Sequence, residues 1–317
     1  MQTNEMPLSL QAQQVLTQVR QVVVGKDPVL VWVLAAMLAK GHILLEDIPG
    51  VGKTTMALAF SKTMQMECRR MQFTPDVLPS DVTGYSILDQ QTGKMVYKEG
   101  AVLCNLFLAD ELNRATSRTQ AALLEAMEEG QVTVDGITHP VPQPFTVIAT
   151  QNPTGAAGTQ LLPDSQMDRF MIRLSLGYPS PHDEMQMVLT RRQGNPLERL
   201  QPLLDRQQLR QMQEAVERTY VSEAVVAYVI ELITATRSHP LIARGASPRA
   251  TLAVIALCKA IAQLRGRDYV VPEDVREVLP YVICHRLLLS ATAQAQGKNA
   301  RDVLQEVVSA VPQPRLC

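Results

Sequence analysis

The stretch HILLEDIPGVGKTTMALAF, residues 42–60, constrains this chain more than any other. A short apolar run leads into a glycine-containing turn, the turn ends in Gly-Lys-Thr, and the next segment carries apolar residues at helical spacing. Strand, turn and helix in that order are the context of a phosphate-binding loop. The core, DIPGVGKT, departs from the eight-residue pattern at one place, where Asp47 stands instead of the opening glycine. Gly50 and Gly52 let the backbone wrap tightly, so that successive N–H groups converge on phosphate oxygens at the start of the helix. Lys53 is then expected to meet the β- and γ-phosphates, and Thr54 to offer its hydroxyl to magnesium. Position 47 lies on the far side of such a loop, where its side chain can point away.

Two further apolar runs end in polar residues: LCNLFLAD, 103–110, in acids, and FTVIATQN, 145–152, in amides. Strands alternating with helices imply a largely parallel sheet whose ligands gather at the carboxyl ends of the strands. Asp110 then falls beside the magnesium and Glu111 where it can polarise an attacking water. Asn152 can orient that water through its amide; read alone, it is a turn residue before Pro153. Two arginines admit a bland and a functional reading. Arg169, in LPDSQMDRFMIRL, either pairs locally with Asp168 or reaches the γ-phosphate of a neighbouring subunit. Arg249, in GASPRATLAVIAL, sits where Ser247 is expected to cap a helix whose first turn holds Pro248, an end already favourable to phosphate.

Length leaves room for two domains, since 317 residues exceed the usual size of one core. The texture changes near GYPSPHDE, 177–184, from strand and helix to helical patterns such as LRQMQEAVERTY, with no convincing strand. We therefore expect an α/β core over 1–179 and an all-α domain over 180–317. Two hairpins decorate the core: SILDQQTGKMVYKEG around Thr92-Gly93, and QVTVDGITHPV around Asp135-Gly136. The longest apolar run, Val29 to Ala39, is too short to cross a bilayer. It reads as a buried helix with Asp27 at its cap, Pro28 in its first turn and Gly41 at its end. The amino-terminal MQTNEMPLSLQAQQ has neither the basic nor the apolar part of an export signal. The five cysteines (Cys68, Cys104, Cys258, Cys284, Cys317) form no CxxC and no cluster with histidine. Reduced thiols and a cytoplasmic location are expected, without an integral membrane segment.

Taken together, VVVGKDPVL, EDIPGVGKTT, LFLADELNRA, QAALLEAMEEGQVTVDG, VIATQNP, LPDSQMDRF and GASPRA resemble the MoxR family of AAA+ ATPases, in order over nearly the whole chain. The resemblance implies an AAA+ phosphate-loop core with inserted β-hairpins followed by an all-α lid. It makes Lys53 and Thr54 the Walker A pair within the loop Pro49, Gly50, Val51, Gly52, Lys53, Thr54 and Thr55. Asp110 and Glu111 become Walker B, Asn152 sensor 1, Arg169 the arginine finger and Arg249 sensor 2. Val24 and Gly25 match the segment that lines the adenine pocket, and the Asp in place of the first loop glycine is itself usual in this family. Arg114 and Arg118 are further candidates for a contact across subunits. The resemblance also implies a hexameric ring that hydrolyses Mg-ATP and remodels, matures or inserts metal into other proteins. Its usual partner carries a von Willebrand factor A domain, and this chain has no D-x-S-x-S motif of that domain, so such a partner is a separate polypeptide.

Other classes fit less well. A nucleic-acid motor needs Lys or Arg on its hairpins, yet GQVTVDGITHPVPQP has none and the net charge is only −1. Nucleic acid is therefore not expected as a partner. A magnesium-chelatase-like ATPase subunit shares the fold, the inserts and the partner type, and the sequence separates it poorly from the first reading. A scaffold that binds ATP without turnover is disfavoured by Glu111 and Asn152. There is no HExxH of a metalloprotease and no GAFTGA loop of an AAA+ transcription activator.

Overall fold

A computed structural model describes residues 6–48, 50–152, 162–192 and 194–314. Its centre is a five-stranded parallel sheet. The strands are β1 (Ile43–Glu46), β2 (Cys68–Gln72), two hairpin strands β3 (Gly84–Leu88) and β4 (Met95–Glu99), β5 (Leu106–Asp110), a second hairpin β6 (Gln131–Val134) and β7 (Ile137–Pro140), β8 (Thr146–Gln151) and β9 (Ile172–Leu174). The sheet order is β2-β5-β8-β1-β9. The parallel pairing of β1, β5 and β8 puts Glu46, Asp110 and Gln151 along one edge, as the sequence predicts.

Successive side chains on these strands face opposite sides, and both sides are covered. Ile43, Leu45, Leu106, Leu108 and Ile148 belong to one apolar cluster, whereas Leu44, Phe107, Ala109, Val147 and Ala149 belong to the other. Fully buried strands of a parallel sheet read as continuous apolar runs for this reason. The first cluster runs on into helices Arg206–Glu217, Glu223–Ser238, Pro248–Leu264, Pro272–Ile283 and Ala300–Ala310, so the helical second half closes over one face of the sheet. Each full burial of a Leu, Ile or Phe there stabilises by about 2 kcal/mol.

Four local expectations are revised. Strands β2 and β9 do not announce themselves in the sequence: CRRMQ, at an edge, carries two adjacent arginines and IRL is three residues long. The helical half contains one two-stranded ribbon, β10 (Ile242–Arg244) with β11 (Leu288–Leu289). The helix Asp27–Leu38 ends on Lys40 in the left-handed conformation (φ 56°), not on Gly41. Gly41 is needed for space, because a Cβ there would lie 2.4 Å from the Met171 sulfur. The Asp27 side chain does not cap that helix and pairs instead with Arg20 at 3.0 Å.

Both hairpins form as expected. Asp135 and Gly136 each take positive φ, 51° and 78°, the geometry a tight two-residue connection demands. In the other, the Asp89 carboxylate accepts the N–H groups of Gln91 and Thr92 and so fixes the turn. Tyr97 and His139 stack at 3.7 Å and join the two hairpins. No helix among the described residues is long and apolar enough to cross a membrane.

Candidate nucleotide-binding site

A cavity of about 820 Å³ opens at the carboxyl ends of the strands. Gly50, Val51, Gly52, Lys53, Thr54 and Thr55 line it together with Arg70, Asp110 and Glu111. Gly50 and Gly52 have φ 88° and 96°, and nothing lies within 4 Å of where a Cβ would stand at either. Glycine is therefore required there by backbone conformation and not by crowding. The helix Lys53–Thr63 begins immediately after the turn, so its free N–H groups face the cavity.

Asp47, the departure from the loop pattern, has a structural reason. Its side chain turns away from the cavity and is buried at 5 % exposure. One oxygen accepts the Ser175 hydroxyl at 2.8 Å and the Gly177 N–H at 3.0 Å, and the other accepts the Leu176 N–H at 2.6 Å. The carboxylate thus ties the root of the loop to the strand end beyond β9. The Asp47 carbonyl meanwhile accepts from the Lys53 ammonium at 3.1 Å. Lys53 is buried at 8 % exposure. Burial lowers its pKa, while the carboxylates of Asp110, Asp47 and Glu111 favour the charged form. The three acids thus oppose the effect of burial and favour an ammonium at Lys53.

The two acids are fixed by a relay from β8. The Thr150 hydroxyl donates to Asp110 Oδ1 at 2.7 Å and accepts the Glu111 N–H at 2.8 Å. Asp110 Oδ2 accepts from Arg70 at 2.8 Å, and Glu111 pairs with Arg114 at 2.8 Å. Glu111 sits at φ 55°, a left-handed conformation that costs a non-glycine residue about 1 kcal/mol. Asn152 follows β8, and its carbonyl accepts from Asn113 at 3.5 Å. Gln21, Val22, Val23 and Val24 also line the cavity, as do Met187, Thr190 and Arg191 of the helix Pro181–Arg191. Gly25, at φ 72°, makes the turn that lets Asp183 approach; a Cβ there would meet that carboxylate at 2.2 Å. Pro49 lies outside the described residues.

Arg169 and Arg249 do not line this cavity. Both line a second one of about 310 Å³ together with Lys40, His42, Glu128, Asp168 and Arg286. Arg169 does not partner Asp168, and Ser247 stands at the N-cap with Pro248 in the first turn, as expected, but makes no side-chain capping hydrogen bond. Asp168 is taken by Arg286 at 2.7 Å and by the Ser247 hydroxyl at 2.9 Å. Arg169 turns instead to Glu128, at 3.3 Å, and Arg249 pairs with the same carboxylate. Arg249 therefore stands apart from residues 50–55. Arg118 lines neither cavity.

Comparison with known proteins now bears on this geometry. Residues 42–172 match the model of the ATPase family associated with various cellular activities (AAA), and residues 234–307 match the AAA lid domain. The uncharacterized protein YeaC of Bacillus subtilis is 43 % identical over 93 % of this chain and 92 % of its own. Chaperone MoxR1 of Mycobacterium tuberculosis is 39 % identical over 94 % of this chain and 81 % of its own. The chain belongs to the MoxR family of AAA+ ATPases. A crystal structure from Cytophaga hutchinsonii superposes with a TM-score of 0.91 at 36 % identity, covering 97 % of this chain and 96 % of that one.

For a MoxR ATPase, a nucleotide site at the loop is what the family entails, and several residues of the two cavities and their surroundings were not legible beforehand. Thr150 lies inside a buried strand and gives no signal in VIATQN. Arg70 sits on an edge strand that composition hides. Glu128 belongs to AMEEG, where an acid near a helix end reads as a solvated residue.

Proposed function

We propose that this ATPase is a chaperone-like motor that hydrolyses Mg-ATP at sites completed between adjacent subunits of a ring, a hexamer by family resemblance. One observation carries the reading: Lys53, Thr54, Asp110 and Glu111 converge on one cavity, while Arg169 and Arg249 converge on another. Arginines that stabilise a transferring phosphoryl group and yet stand away from their own loop are suited to a neighbour's nucleotide. In this assignment the glycine loop wraps the phosphates, Lys53 meets the β- and γ-oxygens, and Val24 with Gly25 bounds the base. Glu111 turns from Arg114 to polarise the in-line water, and Asn152 orients it. Arg169 acts as the finger, with Arg249 beside it on the same face. Arg114 is the rival finger, since it already touches Glu111.

Magnesium fits the donors present. It takes one or two protein oxygens and otherwise phosphate and water, and the Thr54 hydroxyl and Asp110 carboxylate share one cavity. Those two residues would hold it, and it would neutralise charge on the β- and γ-phosphates. The core ends at residue 179 and the lid begins at 180, where Ser180 and Asp183 cap the next helix reciprocally. Loss of the γ-phosphate then shifts lid and neighbour together, and that motion acts on a client protein. A separate partner with a von Willebrand factor A domain presents the client, and a cytoplasmic setting suits the reduced cysteines. Metal insertion, as in a chelatase subunit, is a narrower form of the same work.

A mixing experiment tests the shared site. Lys53→Ala keeps both arginines and Arg169→Ala keeps the loop; each alone should be inactive, and the mixture should hydrolyse ATP. A mixture as inactive as its components would show that each subunit works by itself.

A further inference from the structure

Charges around the second cavity pair off unevenly. Lys40 is matched by Glu217 at 2.5 Å, and Arg286 is matched by Asp168 at 2.7 Å. His42 is neutral at physiological pH, since burial holds its pKa at about 4, and its ring is fully used: Nε2 donates to the Met127 carbonyl and Nδ1 accepts the Val147 N–H. Arg169 and Arg249, however, share the single carboxylate of Glu128. Among the described residues, two guanidiniums on one carboxylate leave one positive charge uncompensated. Glu128 also stands in the last turn of the helix Ser117–Glu129, where the helix dipole disfavours an acid. Nothing in that helix favours a carboxylate at this position; the two arginines do.

We propose that Glu128 is the subunit's own stand-in for phosphate: it holds Arg169 and Arg249 side by side and yields them to the terminal phosphate of the adjacent subunit's nucleotide. This rests on the shared-site reading above and adds a residue to it. A carboxylate brings one charge and two oxygens to the arginine pair. A terminal phosphoryl group brings more charge and three oxygens, so the exchange favours phosphate and also satisfies the uncompensated guanidinium. The exchange is cheap for Glu128, whose side chain is 37 % exposed and rehydrates in place. Glu128 is thus a positioning residue and an internal competitor at once. It keeps two long cationic side chains gathered while raising the threshold at which subunits engage.

The test is the ATPase rate per subunit against protein concentration, in salt sufficient to bring the wild-type midpoint into a measurable range. Glu128→Gln keeps shape and one acceptor but removes the charge. Its midpoint should fall about ten-fold, the order expected for losing two partly exposed ion pairs. Glu128→Asp, which retains the charge, should keep the midpoint near wild type. In an Arg249→Ala background Glu128→Gln should move the midpoint much less, because its effect passes through the arginines. A Glu128→Gln midpoint unchanged or raised, with the Lys53→Ala and Arg169→Ala mixture active, would overturn the stand-in role and leave the shared site intact. An inactive mixture would remove the shared site and this inference with it.

Discussion

The two cavities differ in how their residues are gathered. The larger takes six lining residues from the continuous run 50–55, with Asp110 and Glu111 from the end of β5, one strand removed from β1 in the sheet. The smaller collects Lys40, His42, Glu128, Asp168, Arg169, Arg249 and Arg286 from five separated segments. One wall of the first is a single motif folded in place, although residues 21–24 and 187–191 complete the cavity; no wall of the second is local, and Arg249 and Arg286 reach it only because the helical half docks on the sheet. Mutation should therefore strike the first cavity through chemistry and the second through assembly and packing.

The sharpest break would come at Lys53. Lys53→Ala should weaken ATP binding by about 1000-fold or more, because a buried cation loses its place among phosphates, and isothermal calorimetry would show it. Unaltered affinity would dissolve the contrast between the cavities. Glu111→Gln comes next: turnover should drop by about 100- to 1000-fold while nucleotide binding persists, as for removal of a general base. Hydrolysis at the wild-type rate would take Glu111 out of the chemistry.

The third prediction sharpens the comparison from the other cavity. His42 titrates near 4 when folded against 6.5 ordinarily, and burial depresses His285 as well. Between those values the unfolded chain binds protons that the folded chain refuses. The stability is therefore present above pH 6.5 and lost as pH falls towards 4, by about 3 kcal/mol for His42 alone. Denaturant titrations across that range should show the loss, and a chain equally stable at pH 4.5 and 7 would contradict it. The smallest effect is expected at Asp47. Asp47→Ala leaves the Leu176 and Gly177 N–H groups unpaired and should lower stability by about 2 kcal/mol in thermal or denaturant unfolding. Full stability with lost binding would instead place Asp47 in the phosphate chemistry.

Legibility followed the same division. HILLE, LFLAD and TVIATQ were readable because strands buried on both faces are continuous apolar runs, and the Asp-Gly and Thr-Gly turns were readable because positive φ restricts residue choice. Strand β2, CRRMQ, was not, since an edge strand with two arginines carries no burial signal. The cap of the helix at Pro248 was legible in part: Ser247 takes the N-cap position, but its hydroxyl donates to Asp168, 79 residues away in sequence, and does not bond the helix N–H groups. Arg169 shows the same effect, since its adjacent Asp168 is already committed to Arg286 and Ser247.

By itself, then, the sequence determined the glycine turn into the helix Lys53–Thr63, the acids at the end of β5 and the α/β core with its helical lid. Each rests on local rules: glycine conformations, helix starts and the period of apolar residues act within a few residues of one another. Only the tertiary structure decided that Asp47 braces the loop through residues 175–177, that Thr150 aligns the acids, and that Arg169 and Arg249 meet on Glu128. Partner choice among charged side chains depends on which segments the sheet order and the docked lid bring within a few ångströms, and on which partners are already taken.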